Sequence, residues 1–328
     1  MLWGRRQFVL QITVDWFLYN LVGLDSSSRI IQSLNFFIYD SVKILFLLFW
    51  MILIIGFIRT YIPQNKIKEW LSGKRKGIGN LMASLFGAAT PFCSCSSIPL
   101  FISFLEAGIP LGVTFSFLIT SPLVNEYLVV LMFGIFGWKI TLAYVLSGIL
   151  IGVIGGLVLG SMKLEKNLVK DLISSNSKVN KDKEYNGIKK RLLFGLNESL
   201  SIIKKLWLWI LIGVGIGAII HNYVPSELIQ GLINKGGIFA VPIATIIGVP
   251  LYGSCAGIVP IAAALFQKGI PIGTALAFMM AVSALSLPEA VMLRRAMNLK
   301  LIAIFFAITA LAIIFIGYLL NILQPILA

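Results

Sequence analysis

Thr90-Pro91-Phe92-Cys93-Ser94-Cys95-Ser96-Ser97-Ile98-Pro99 interrupts an apolar window running from Gly77 to Leu105, and its reading decides the fold. Proline removes a backbone donor and clashes with the preceding turn, so continuous helix between Pro91 and Pro99 is disfavoured. A second stretch of the same kind, Pro250-Leu251-Tyr252-Gly253-Ser254-Cys255-Ala256-Gly257-Ile258-Val259-Pro260, interrupts the window from Gly236 to Phe266. There Gly253 and Gly257 add backbone freedom. The chain has 3 cysteines, and Cys93, Cys95 and Cys255 all fall in these two breaks. Non-helical backbone at membrane depth is tolerated only where protein buries it or a wet cavity takes it up.

The surroundings of the two breaks are membrane-like. The 328 residues are 58% hydrophobic and 12% charged, with a mean hydropathy of +0.95. Soluble chains carry about 25% charge, so the deficit excludes an ordinary soluble domain. Three cysteines exclude a disulfide scaffold. The net charge of +14 sits in loops beside apolar runs, the positive-inside pattern, so no nucleic-acid partner is expected. Arg5 and Arg6 precede an apolar stretch, but Asp15 interrupts it and no small-residue cleavage site follows, which argues against a cleavable signal peptide.

A spanning helix needs about 20 mostly apolar residues. Windows of that kind run from Val42 to Ile62, Gly108 to Gly137, Ile140 to Ser161, Leu206 to Ile220, Gly269 to Met292 and Leu301 to Leu320, besides the two broken ones. Phe8 to Leu24 is amphipathic and either lies in the interface or spans weakly. These windows divide the chain into an N-terminal amphipathic segment (1–35), a first membrane repeat (36–161), a basic linker (162–200) and a second membrane repeat (201–328).

Matching punctuation supports the repeat. Tyr61-Ile62-Pro63 is echoed by Tyr223-Val224-Pro225, and Gly108-Ile109-Pro110-Leu111-Gly112 by Gly269-Ile270-Pro271-Ile272-Gly273. Between those markers each half carries one broken segment, with spacings that shift by a few residues. Matched interrupted segments in two halves point to a transporter's binding site. Arg59 to Lys76 holds six basic residues against one acid, and Lys163 to Lys205 eleven against five, which assigns both loops to the cytoplasm. An even number of crossings must then separate them, although three apolar windows lie between. The broken window is the one read as entering and leaving on the same side. The expected fold is an all-α polytopic membrane protein of two repeats, inverted in the preferred architecture. Each has three spanning helices and a Pro/Cys-broken re-entrant hairpin. The rival is eight plain spans with parallel halves.

The breaks also suggest chemistry. Freed amides and helix N-termini attract anions or lone pairs. Ser94, Ser96, Ser97 and Ser254 supply hydroxyls, while Cys93, Cys95 and Cys255 supply soft ligands for a thiophilic species. Cysteine is equally at home as a small hydrophobe, and a lone C-x-C is a weak metal signal, so no metal or cofactor is expected. A Cys93–Cys95 bridge would close a strained ring; pairing of either with Cys255 stays open. Glu126 and Glu289 are the acids nearest the membrane interior, each close to a proline (Pro122 and Pro288), with Thr120, Ser121 and Asn125 on the approach to the first. Intramembrane carboxylates are costly and usually functional, which suits proton coupling, and helix ends in the headgroup region are the other reading. His221, the single histidine, reads as interfacial. The sequence carries no G-x-x-x-x-G-K, H-E-x-x-H or G-x-S-x-G, so it is not read as an enzyme, and any pumping would draw on an ion gradient or a separate subunit.

Through Thr90-Pro91-Phe92-Cys93-Ser94-Cys95 with Pro99, and Gly253-Ser254-Cys255 with Pro260, the chain resembles a family of predicted bacterial permeases that includes efflux permeases for trivalent organoarsenicals. The likeness runs from about Phe36 to Leu323, and the P-F-C-S-C element is fairly specific to it. The resemblance implies a multi-pass inner-membrane permease with a cytoplasmic central loop. It implies export of methylated or aromatic As(III), coupled to protons, with Cys93 and Cys95 as the cysteine motif. Cys255 joins them through the repeat alone. The expected partners are a small thiophilic solute and the lipid bilayer, with a homodimer or partner subunit left open. Transport of a sulfur-containing or other small anion, and a membrane scaffold that moves nothing, are the competing functions.

Overall fold

A computed structural model describes residues 11–21, 23, 29–59, 77–90, 94–168, 187–223, 231, 233, 236–251, 255–294 and 296–327. Among them the chain is helical, with one isolated antiparallel bridge between Leu168 and Met297. Its first half holds α1 (Arg29–Arg59), α2 (Ile78–Ala89), α3 (Ser94–Glu106), α4 (Leu111–Leu123) and α5 (Glu126–Ser161). The second half holds α6 (Ile188–Tyr223), α7 (Ala240–Gly248), α8 (Cys255–Gln267), α9 (Ile272–Ala284), α10 (Leu287–Leu293) and α11 (Leu299–Leu327).

Among the described residues, four stretches are long and apolar enough to cross a membrane: Ile30–Ile54, Leu128–Ser161, Ile272–Leu293 and Leu299–Pro325. The first starts well before the expected Val42. The expected window from Gly108 to Gly137 is divided at Val124-Asn125 into α4 and the start of α5. With 13 residues, α4 is roughly 20 Å long at about 1.5 Å per residue, short of an approximately 30 Å hydrocarbon core. Inside α5 the backbone leaves the helix at Gly137 (φ 80°, ψ 176°), so the helix is two pieces meeting at a kink. The apolar run from Ile272 to Leu293 is likewise divided, at Leu285-Ser286, between α9 and α10.

The Gly-Ile-Pro markers have one structural cause. Gly108 (φ 75°) and Gly269 (φ 86°) take up the left-handed conformation after α3 and α8. Gly108 donates its amide to Leu105 and Ile109 donates to Phe104, while Gly269 donates to Phe266 and Ile270 to Leu265. That is a Schellman ending, and the proline that follows starts the next helix with φ near −55° in both places (−56° and −54°). From here the register holds: α3 and α8 start at Ser94 and Cys255, and α4 and α9 at Leu111 and Ile272, each 161 residues apart. The spacings of these elements therefore do not drift as the markers alone suggest.

Close helix crossings follow the same register. A methyl group at Gly87 would lie 3.1 Å from the Phe117 carbonyl oxygen, and one at Gly248 the same 3.1 Å from that of Phe278. A methyl at Gly112 would meet the Gly156 carbonyl oxygen at 2.6 Å, and one at Gly273 would meet that of Gly317. Thus α2, α4 and α5 pack on one another, as do α7, α9 and α11, with α3 against α4 and α8 against α9. Both α4 and α9 are buried along their whole lengths at the centre of the molecule, where they also touch.

Outside these units, α1 and α6 pair antiparallel. Phe37 lies by Gly215, the Phe49 carbonyl accepts from Ser199 Oγ at 3.1 Å, and Leu53 lies by Gly195. The end of α1 and the start of α6, each next to a strongly basic stretch of sequence, are therefore on the same side. Residues 11–21 are helical and close in a π-helical turn, Trp16–Leu21. Asn35 Nδ2 holds them to α1 by donating to Asp15 Oδ1 (2.6 Å) and Tyr19 Oη (3.0 Å). After α5, a 3-10 turn (Leu164–Asn167) reaches the α10–α11 corner, where Asn298 donates its amide to the Asn167 carbonyl.

Candidate functional site

The breaks are narrower than their prolines suggest. In the first, α2 ends at Ala89 and α3 begins at Ser94, while Pro91, Phe92 and Cys93 fall outside the described residues. In the second, α7 ends at Gly248, Pro250 is exposed and α8 begins at Cys255, with Gly253 and Ser254 outside the described residues. Pro99, buried, is the sixth residue of α3, and Pro260 is the sixth of α8, where Gly257 is the third. Both prolines lie within helices instead of closing the breaks. The cause is positional: a helix leaves its first four amides without partners, so a sixth-residue proline forfeits one bond only. That bond would have used the carbonyl four residues earlier, which in α3 belongs to Cys95.

Ser94, Cys95 and Ser96 thus make up the first turn of α3, and Cys255 opens α8 at the position Ser94 occupies in α3. Pairing of Cys93 or Cys95 with Cys255 concerns side chains outside the described set. Next to the first turn of α3, Ser97 and Ser121 are both wholly buried and share a hydrogen bond of 2.7 Å. Ser121 belongs to the last turn of α4, and a methyl at Gly87, near the end of α2, would lie 3.2 Å from its amide nitrogen. The end of α2, the start of α3 and the end of α4 therefore converge. Thr120, also buried, donates to the Ser116 carbonyl at 2.9 Å.

This convergence exposes a feature the sequence reading missed: each half has a second break. After α4 the chain passes through Val124-Asn125 before Glu126 starts α5, and after α9 through Leu285-Ser286 before α10. Tyr144, fully buried on α5, donates its hydroxyl to the Leu123 carbonyl at 2.9 Å, satisfying an acceptor that the break frees. The available signals were Pro122 and Pro288, polar Asn125 and Ser286, and the helix-start acids.

The two expected acids are not equivalent. Glu126 is the first residue of α5 and exposed, with half-buried Asn125 before it. Glu289 is the third residue of α10 and 0% exposed. α10 packs against α3, the helix that carries Cys95, and against α6. At the 161-residue offset, Glu289 corresponds to buried Leu128. His221 lies in the last turn of α6, and its side chain is outside the described set.

A third carboxylate, Asp40, was not singled out by the sequence. It lies ten residues inside the apolar stretch Ile30–Ile54 and is 5% exposed. Lys43 Nζ approaches its Oδ1 at 4.0 Å and stands over the Tyr39 ring, 5.4 Å from its centroid. A helical pair of this kind stabilises by about 0.2–0.5 kcal/mol. Ser41, 5% exposed, is beside it with no hydrogen-bond partner for its hydroxyl.

Comparison with known proteins points to membrane permeases. A protein from Streptococcus mutans, whose name proposes it as a subunit of a two-component membrane permease complex, is 21% identical over 208 residues, covering 62% of this chain and 67% of the relative. The UPF0718 protein MJ0584 of Methanocaldococcus jannaschii is 25% identical over 292 residues, covering 72% of this chain and 80% of the relative. No solved structure matches the chain. The model of a predicted permease family, ArsP_1, matches residues 29–322, from the first residue of α1 nearly to the end of α11. The chain belongs to that family of predicted permeases.

Proposed function

We propose that the protein is a secondary-active permease of the inner membrane that moves a small soft solute by alternating access, most sharply by exporting trivalent organoarsenicals. The observation that carries this reading is the constant register of two broken segments, in which Ser94-Cys95 and Cys255 open equivalent helices. Each break is a re-entrant hairpin in an inverted repeat. The antiparallel pairing of α1 with α6 supports the inversion, because these helices hold corresponding places ahead of their hairpins. α2/α4/α5 and α7/α9/α11 are the bodies that rock against each other, with the linker cytoplasmic.

Cys93 and Cys95, with Cys255 across from them, bind the cargo. As(III) bearing one organic group has two open valences, which paired thiols match by softness. Ser94, Ser96 and Ser254 line the same pocket. Glu289 carries the coupling proton, favoured over Glu126 and Asn125 by its burial and by the contact of α10 with α3.

Resistance to methylarsenite in a sensitive bacterial host tests the assignment. Cys93→Ser and Cys95→Ser are each expected to lower resistance to the level of the empty host. Unchanged resistance in both single variants and the double variant would remove the thiols from the mechanism.

A second reading has support of its own in the buried Ser97–Ser121 hydroxyl pair beside a helix start. There, amides and serines bind a sulfur-containing or other small anion. Cys→Ser variants then keep transport, while bulky changes at Gly253 or Ser254 stop it. The name of the streptococcal relative favours a partner subunit in either case.

A further inference from the structure

We infer, on the reading of the chain as a gradient-driven permease, that the α2/α4/α5 unit holds a sodium ion near the ends of α2 and α4, bound by the hydroxyls of Ser84 and Thr120. α2 and α4 run parallel, since Asn80 reaches Gly112 and Ser116 while Gly87 crosses at Phe117 and Ser121. Their last residues, Ala89 and Leu123, therefore end side by side, next to the start of α3. A helix end of this polarity leaves carbonyl oxygens without intrahelical partners and carries about half a negative charge. Two such ends together favour a cation, and half-helix C-termini are where transporters coordinate sodium.

The side chains here are oxygen donors without charge. Neither α2 nor α4 carries a charged residue. Ser84 is wholly buried and its hydroxyl has no hydrogen-bond partner, a cost unless something binds it. A methyl at Gly152 on α5 would lie 2.9 Å from Ser84 Oγ and 3.1 Å from the Ser116 carbonyl oxygen, and would collide with Thr120 Oγ1. Three buried oxygens thus surround one point, and Ser84 bonds to neither of the others. Thr120 donates its proton to the Ser116 carbonyl, which leaves its lone pairs for an ion. Neutral oxygens suit a monovalent cation, because divalent ions draw on carboxylates, and Glu126, at the start of α5, is exposed. The close crossings at Gly87 and Gly152 favour sodium over the larger potassium.

The second unit is the natural control. At the 161-residue offset, Ser97, Thr120 and Ser121 become Ile258, Ala281 and Val282, and Gly152 becomes Ile313. Ser84 becomes Thr245, whose hydroxyl donates to the Val241 carbonyl at 2.9 Å. Helices cross there without these hydroxyls, so packing does not account for them in the first unit. Sodium at Thr120 fixes the end of α4, and the Ser97–Ser121 bond carries that to the beginning of α3, the helix of Cys95. Sodium and cargo should therefore each tighten the binding of the other.

The test is binding of radiolabelled sodium to the full-length protein in lipid nanodiscs, with potassium and choline as competitors and no cargo present. Unfolding temperature in sodium chloride against choline chloride at equal ionic strength is the second measurement. The wild type should bind sodium saturably and unfold at a higher temperature in it. Ser84→Ala and Thr120→Val should each lower the affinity about tenfold or more, as for a lost bond to a charged group. Thr120→Ser, which keeps the hydroxyl, should bind as the wild type does. Ser84→Ala should unfold in choline at the wild-type temperature, since its hydroxyl has no protein partner to lose. Absence of saturable binding by the wild type, equal competition by potassium, or unchanged affinity in both Ser84→Ala and Thr120→Val overturns the inference. A failure to move methylarsenite falls on the cargo assignment alone, because sodium binding is read without it.

Discussion

The two three-helix units, α2/α4/α5 and α7/α9/α11, make the same backbone crossings with different side chains. In the first, Asn80 on α2 reaches α4, donating to the Gly112 carbonyl at 3.1 Å and Ser116 Oγ at 2.8 Å. In the second, the amides come from α11: Asn321 Oδ1 accepts from the Thr274 amide at 3.2 Å, and Gln324 Oε1 from the Ile272 amide at 3.0 Å. Each arrangement fixes the start of a central helix beside a glycine that tolerates no side chain. The central helices themselves diverge. α4 buries Thr114, Ser116, Thr120 and Ser121, whereas α9 buries two hydroxyls, Thr274 and Ser283, together with Met279 and Met280, and leads into the helix bearing Glu289. Similar crossings thus carry more hydroxyls in one unit and lead to a buried carboxylate in the other, so matching crossings do not require matching chemistry.

The sharpest way to break that comparison is to exchange its acids. Glu289→Gln is expected to abolish gradient-driven transport in proteoliposomes, and Glu126→Gln to leave most of it, because only the first is buried inside the protein. Equal losses would erase the division of labour. Next in size are the glycines. Gly112→Ala and Gly273→Ala should each lower stability by about 1–3 kcal/mol through overpacking, read as a fall in unfolding temperature of the detergent-solubilised protein. A loss at one position alone would mean the crossings are not equivalent. Asn80→Ala and Asn321→Ala should cost about 1–3 kcal/mol, the penalty for stranding buried polar groups, with the larger loss at Asn80: each side chain makes two hydrogen bonds to a central helix, but Asn80 is buried and Asn321 half-buried. The smallest effect belongs to Ser97→Ala, about 0.5–1.5 kcal/mol for loss of its hydrogen bond with Ser121, with no counterpart in the second half, where the residue 161 later is Ile258.

What the sequence made legible was punctuation. Gly108-Ile109-Pro110 and Gly269-Ile270-Pro271 carry their geometry locally, since a left-handed residue ends one helix and a proline starts the next, so the repeat of the motif is a repeat of the turn. The interruptions near Cys95 and Cys255 were legible for the same reason. The second breaks were not. Leu123-Val124-Asn125 and Leu285-Ser286 hardly alter hydropathy, and a window average cannot register a backbone that turns between apolar residues. Pro99 and Pro260 misled in the opposite direction, because a proline's effect depends on its place in the helix, and that place emerged only once Ser94 and Cys255 were seen to start α3 and α8. Asp40 fell just outside the first apolar window, Val42 to Ile62, although the helix runs through it from Arg29.

The claim underlying the cargo assignment is that the two breaks face one another across a shared pocket. Intramolecular cross-linking of Cys95 to Cys255 in a Cys93→Ser background, with thiol reagents of graded length in native membranes, tests it most directly. The account predicts efficient linkage by the shortest reagents and protection by methylarsenite. Linkage by none of them, with both thiols shown to react singly, would contradict it.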